Sequence, residues 1–109
     1  MKTFDYVIVG GGSAGCVLAD KLSACGNYSV CLLEAGKEDK SWLIHLPIGI
    51  IGLMRDRTLN WQFNSQREAT LNNREIYTPR GKTLGGSSSI NAMLYVRGQK
   101  QDYDHWHSL

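Results

Sequence analysis

The sequence predicts an α/β fold founded on a parallel strand–helix–strand unit. Three observations predict it. An apolar run ends in glycines at 10, 11, 12 and 15; a helix-spaced apolar series follows directly; and a second apolar run closes on an acid. With 109 residues there is room for one modest domain, with a core and little to spare.

Each element follows in order. Residues 4–9, "FDYVIV", are rich in β-formers and end apolar, as a buried parallel strand does. Ala14, Val17, Leu18, Leu22 and Cys25 then recur at helical spacing, with Asp20 and Lys21 offset toward solvent. Gly26-Asn27 closes the helix with residues that tolerate positive φ. "YSVCLLE", 28–34, is the second strand. Together these make a βαβ unit whose crossover is right-handed. Residues 35–45 are polar and turn-like. "LPIGIIGLM", 46–54, is apolar with Pro47 in a first helical turn, which predicts a short core or lid helix. It is far shorter than the roughly 20 residues a membrane span needs. "NWQFNSQ" and "REIYTPR" have weak strand character, the flanks of the second glycine cluster within 77–98 read as strand, and "QKQDYDHWHSL" begins a last helix.

Composition narrows the function classes. A net charge of +2 with both signs interspersed leaves no basic footprint for nucleic acid. Asp5 and the glycines interrupt any signal-peptide core, and no long apolar run reads as a transmembrane helix. Three cysteines without CxxC spacing predict free thiols filling the core in a reducing compartment, not a disulfide framework or a metal site. The expected location is cytoplasmic, with a peripheral position on the inner membrane through 46–54 as the alternative. His105-x-His107 lacks a third ligand, and the three tryptophans are assigned to packing.

Gly10-x-Gly12-x-x-Gly15 lies between predicted strand and predicted helix, the context in which this spacing has mechanical meaning. Gly10 permits the tight turn, Gly12 lets backbone close on a pyrophosphate, and Gly15 lets helix and strand pack. Amides from Gly12 through Ser13 and Ala14 then face the phosphates at the positive end of the helix dipole. Glu34, at the end of the second strand, can accept both hydroxyls of an adenosine ribose and repels a 2′-phosphate. The unit is therefore Rossmann-like, and these features alone leave FAD and NAD undecided.

The second cluster, "RGKTLGGSSSINAMLYVRG", separates them. An NAD enzyme has no general need for another glycine–serine cradle, whereas a flavin ring must be held flat with backbone against one face and edge. Gly85 and Gly86 let main chain reach that close, and successive amides can donate to phosphate or to negative charge on a reduced flavin.

"DYVIVGGGSAG" continuing to "LLEAG", with the long cluster followed by "DYDHW", resembles the glucose–methanol–choline (GMC) family of FAD-dependent oxidoreductases, in particular its bacterial choline and alcohol dehydrogenase branch. The resemblance covers essentially the whole chain and about the first fifth of a typical member. It implies the N-terminal part of a GMC-type FAD-binding domain over 1–109, with a βαβ unit at 1–36 and the family signature segment at 77–104. The domain is then incomplete. It implies that Gly10, Gly12, Ser13, Ala14 and Gly15 lie on the pyrophosphate and Glu34 with Ala35 on the adenosine ribose. Leu84, Gly85, Gly86, Asn91, Ala92, Met93 and Leu94 would run beside the flavin ring and diphosphate, with an electrostatic role open to Arg80 and Lys82. Some relatives carry a flavin-tethering histidine just before the asparagine; Ile90 stands here, which implies noncovalent FAD. The implied activity is oxidation of an alcohol, choline or another primary alcohol, with hydride passing to flavin N5. The family's catalytic base falls near the C-terminus of complete members, so no catalytic residue and no metal ligand is assigned here. The competing readings are a stand-alone dinucleotide-binding module without chemistry and a fragment of an NAD-dependent dehydrogenase. Substrate identity, electron acceptor and oligomeric state are not legible.

Overall fold

In the computed structural model, which describes residues 2–109, β1 (Tyr6–Val9) and β2 (Val30–Leu33) pair in parallel, with Val7 opposite Cys31 and Ile8 opposite Leu32. Helix α1 (Ser13–Ser23) connects them, as the glycine spacing and apolar series require. It stops earlier than the sequence pattern suggests. The Gly26 N–H folds back onto the Ser23 carbonyl at 3.0 Å, and Gly26 takes the left-handed φ of +69° that favours glycine. The strand starts are latched by Asp5, whose carboxylate accepts from the Ser29 amide at 2.7 Å and the Ser29 hydroxyl at 2.6 Å.

The middle of the chain departs from expectation. Within the stretch read as turn-like, Trp42–His45 forms a short helix, α2. Residues 46–54 do not form one helix: Pro47–Gly49 makes a 3-10 turn and Ile50–Leu53 a separate turn of helix, α3. The cause is close packing. A β-carbon at Gly49 would sit 1.9 Å from the Leu43 carbonyl oxygen, so the chain must fold tightly over α2 there. The two weak strands are real but short, with β3 (Phe63–Asn64) antiparallel to β4 (Tyr77–Thr78). Their ladder continues toward the glycine cluster through an Asn60–Gly81 bridge.

Asn60 explains why that ladder holds. Only 1 % exposed, it donates from Nδ2 to the Tyr77 hydroxyl at 3.0 Å and the Leu53 carbonyl at 3.3 Å. Its Oδ1 accepts from the amides of Gln62 and Arg80, both at 3.0 Å. A buried amide satisfied at both ends fixes three segments at once.

The core is small and off-centre. Leu53, Leu59 and Ile90 are buried, with Leu43, Ile44 and Met54 packed against them. The β1–β2 sheet lies outside it, and Val9 is 83 % exposed. The radius of gyration is 18.1 Å, against about 13 Å for a compact domain of this length. These are the marks of a partial α/β region, with a parallel pair that packs against α1 yet leaves Val7 and Val9 exposed. The cysteines are free as expected, but Cys25 is exposed and only Cys16 and Cys31 are partly buried, so the core-filling role fails for Cys25. Residues 91–98, expected as strand, form no regular element, and Leu94, Tyr95 and Val96 are exposed with no neighbouring strand among the described residues. Helix α4 (Lys100–Ser108) closes the chain.

Candidate cofactor site

Each glycine of the first cluster meets a different constraint. Gly10 has φ +100°, and its amide donates to the Leu33 carbonyl at 2.7 Å, so the turn leaves β1 still bonded to the end of β2. A β-carbon on Gly15 would fall 1.9 Å from the Gly10 carbonyl oxygen, so helix and turn touch through main chain. Gly12 is different: its φ of −77° suits any residue, and a β-carbon there would meet nothing within 4 Å. Its missing side chain leaves open space. Directly after it α1 begins with no side-chain cap and no acid in its first turn. The first amides of a helix have no intrahelical partner, so Ser13 and Ala14 start a helix whose donors and dipole face outward.

Glu34 ties this loop to the next turn. Its Oε2 accepts from the Gly11 amide at 2.7 Å and its Oε1 from the Gly36 amide at 2.8 Å. The acid at the end of β2 is thus a brace as well as a candidate ribose ligand, and a carboxylate has acceptor sites for both tasks. Sequence spacing gave no hint of the bracing.

The second cluster is drawn onto the first. Thr83, fully buried, donates its hydroxyl to the Lys37 carbonyl at 2.9 Å, and the Leu84 amide donates to the same carbonyl at 2.9 Å. The next amide, of Gly85, donates to the Gly11 carbonyl at 2.7 Å, making a parallel bridge between Gly12 and Gly85. Gly85 and Gly86 then turn at φ +85° and +60°. A β-carbon on Gly86 would lie 3.0 Å from the Gly12 α-carbon. The Leu84 side chain packs beside Gly11.

A cleft of about 550 Å³ results, with Gly10, Gly12, Glu34 and Ala35 on one side and Trp61, Gly81 and Gly86 on the other. Trp61, assigned from sequence to packing alone, lines this cleft. Its ring stacks on Phe63 at 5.9 Å with planes 6° apart, and the Lys82 ammonium lies 4.4 Å from its centre. No residue pattern marks such a tryptophan in advance, because the hairpin carrying it becomes visible only once paired. Arg80 turns its guanidinium onto the Pro79 carbonyl at 2.8 Å. Asn91 and Met93 do not reach the cleft; they border a smaller hollow of about 140 Å³ with Ser88 and Ser89, and Ala92 and Leu94 are exposed beside them. A larger hollow of about 890 Å³ lies between residues 95–98 and α4, and carries none of the predicted site residues. His105 and His107 are exposed on α4, and His45 Nε2 lies 2.7 Å from the Asp39 carbonyl.

Two glycine turns joined by a main-chain bridge, an outward-facing helix start and an acid closing the second strand are the features with which α/β folds take up a dinucleotide. Residues 4–109 match the family model described as GMC oxidoreductase, and the chain belongs to that family. It is 57 % identical over 103 residues to an alcohol dehydrogenase [acceptor] of Pseudomonas putida, covering 94 % of this chain and 19 % of that relative. It is 55 % identical over 104 residues to an oxygen-dependent choline dehydrogenase of Photobacterium profundum, covering 95 % of this chain and 18 % of the relative. Among solved structures, pyridoxine 4-oxidase from Mesorbium loti superposes with a TM-score of 0.81 at 37 % identity, over 97 % of this chain and 21 % of that one. An FAD-dependent oxidoreductase from Chaetomium thermophilum superposes with a TM-score of 0.70 at 34 % identity, over 97 % and 18 % of the two chains. The chain therefore spans about a fifth of the length of its relatives, at 19 % of the first.

Proposed function

We propose that this region binds FAD noncovalently along the cleft and serves as the cofactor-holding part of an oxidoreductase acting on the CH–OH group of an alcohol, choline or another primary alcohol. Residues 1–36 supply the nucleotide half of the site and 77–104 the flavin half. The single observation that carries the reading is the Gly85–Gly11 main-chain bond of 2.7 Å, which sets two side-chain-free turns on one cleft. A nicotinamide site has use for the first turn only.

The residues present fit the cofactor. Gly12 leaves the open space a pyrophosphate needs, and the uncapped start of α1 offers its donors there through Ser13 and Ala14. Glu34 and Ala35 line the same cleft, which supports assigning them to the adenosine ribose. Leu84, Gly85 and Gly86 carry the chain onward toward Asn91–Leu94, the segment assigned to the ring. Bound flavin supplies a hydride acceptor at N5. This chain's residues bind and orient it, and the proton of the alcohol is left to a base outside them. Homologues named as choline and alcohol dehydrogenases favour those substrates. The expected location is the cytoplasm; no described helix is long and apolar enough to cross a membrane, and exposed Ile48 and Ile51 are the groups that a peripheral contact would use.

The test is a titration with FAD and, separately, NAD, repeated on Gly12→Val. Gly12 has an ordinary φ and a β-carbon there meets nothing within 4 Å, so the substitution costs little beyond a poorer N-cap, yet it puts bulk into the cleft. The unsubstituted protein should turn yellow and retain FAD on gel filtration, and the valine variant should fold and stay colourless. Saturable NAD binding without FAD binding would overturn the flavin assignment. A valine variant that keeps full affinity would overturn the placement of the pyrophosphate.

A further inference from the structure

Asn91 has both ends of its side-chain amide committed. Its Nδ2 donates to the Ser88 carbonyl at 2.6 Å, and its Oδ1 accepts from the Met93 amide at 2.6 Å. Met93 adopts φ +53°, in the left-handed region. Gln62, Asn72 and Asn73 share that region; asparagine tolerates it well, whereas glutamine and methionine adopt it rarely, and the Gln62 amide is likewise held by an asparagine oxygen two residues earlier, Asn60 Oδ1. Met93 is also 58 % exposed, so packing does not impose the conformation. What imposes it is the Asn91 side chain bonding its own backbone two residues on, the mechanism that makes asparagine a turn residue.

We propose that Asn91 is a positioning residue that holds Met93 left-handed and so pre-sets the main chain of 92–94 for the flavin, without itself bonding the cofactor. The inference rests on the functional reading above, which puts that segment beside the ring. Its Ser88 bond anchors the asparagine to the 3-10 turn Gly86–Ser89, which follows directly from the bridge to the first glycine loop. The kink at Met93 is thereby fixed relative to the nucleotide half. Pre-set main chain at a binding surface spares the ordering that a ligand would otherwise have to impose.

Glycine adopts the left-handed region without penalty, so it gives a direct test. In the flavin-loaded protein, FAD affinity and the positions of the visible flavin bands are compared for N91A, N91D, M93G and N91A/M93G. N91A should weaken FAD binding about tenfold, the equivalent of one left-handed penalty, and shift the bands. In the M93G background the same asparagine removal should cost less than about twofold, because the conformation it enforces is then free. N91D keeps the oxygen facing the Met93 amide and should fall nearer the unsubstituted protein than N91A. Because Asn91 is exposed, its removal leaves the core intact. A merely structural role through Ser88 would be equally damaging with or without M93G, and that result overturns the proposal. So does an N91A variant with unchanged affinity and spectrum, which would also take 91–94 away from the flavin while leaving the Gly12 test standing. An unsubstituted protein that binds no FAD would overturn the functional reading and this inference together.

Discussion

Glu34 Oε2 accepts the Gly11 amide at 2.7 Å, so the acid at the end of β2 holds the backbone of the first glycine turn in place. Gly11 is buried, and an unpaired buried amide is costly. Removing the carboxylate in Glu34→Ala should therefore destabilise the fold by about 2 kcal/mol, beyond any loss of a ribose contact. Glu34→Gln keeps one acceptor but turns an NH2 group toward one of the two amides, and should cost about 1 kcal/mol. Urea unfolding of the cofactor-free protein reads both, with no contribution from FAD. Equal stability of all three proteins would mean that Glu34 does not brace the loop.

Gly36 and Gly26 make a matched contrast. A β-carbon on Gly36 would lie 2.0 Å from the Lys82 carbonyl, at the crossing where β2's exit meets the second cluster. Backbone cannot yield there without breaking the Lys37–Thr83 and Gly12–Gly85 bridges. Gly36→Ala should abolish FAD binding and cost at least about 3 kcal/mol, as overpacking against rigid main chain does. Gly26→Ala meets nothing within 4 Å and has only its φ of +69° to contend with. It should cost about 1 kcal/mol and leave FAD affinity intact. Thermal unfolding and FAD titration of the two variants check this; similar behaviour would mean that the two clusters are not joined through Gly36.

Legibility from sequence followed the range of the interactions. The βαβ unit was legible because each of its parts is local: an apolar run, a glycine spacing, a helical repeat. The cleft was only half legible. Gly10 and Gly15 announce their backbone constraints, but Gly36 and Gly81 gain theirs from Lys82 and Gly86, and such contacts leave no local pattern. Trp61 went unseen for the same reason. The 46–54 segment misled because its apolar residues carry no period that distinguishes one helix from two short turns. Residues 91–98 misled because β-formers make a strand only beside another strand, and none of the described strands pairs with them.

The Asp5–Ser29 latch gives the fold a pH dependence of known sign. The Ser29 hydroxyl and amide both donate to the Asp5 carboxylate and hold its pKa below the ordinary 3.8. A folded-state pKa below the unfolded one means that the latch stabilises fully above about pH 4 and fades as pH falls through the lowered value. Asp5→Ala should therefore lower the melting temperature at pH 6 by a few degrees, and the gap between the two proteins should narrow toward pH 3. A gap that stays constant across that range would mean that Asp5 acts by packing or backbone effects, not by its charge.

Ile90, the residue on which the expectation of noncovalent FAD rests, is 3 % exposed, in the core with Leu53 and Leu59. An isoleucine has no nitrogen with which to bond a flavin, and this one faces apolar neighbours. Acid precipitation of the yellow protein should thus release its flavin quantitatively into the supernatant, leaving a colourless pellet. Flavin retained in the pellet would mean a covalent bond at another residue and would end the noncovalent assignment. The burial carries a second expectation. Ile90→Ala should cost about 2–5 kcal/mol, the range for emptying a core position of this size. The residue ahead of Asn91 would then anchor the 91–94 segment through packing. Both measurements use the same preparation: the precipitate tests the absence of a tether, and the melting curve tests what replaces it.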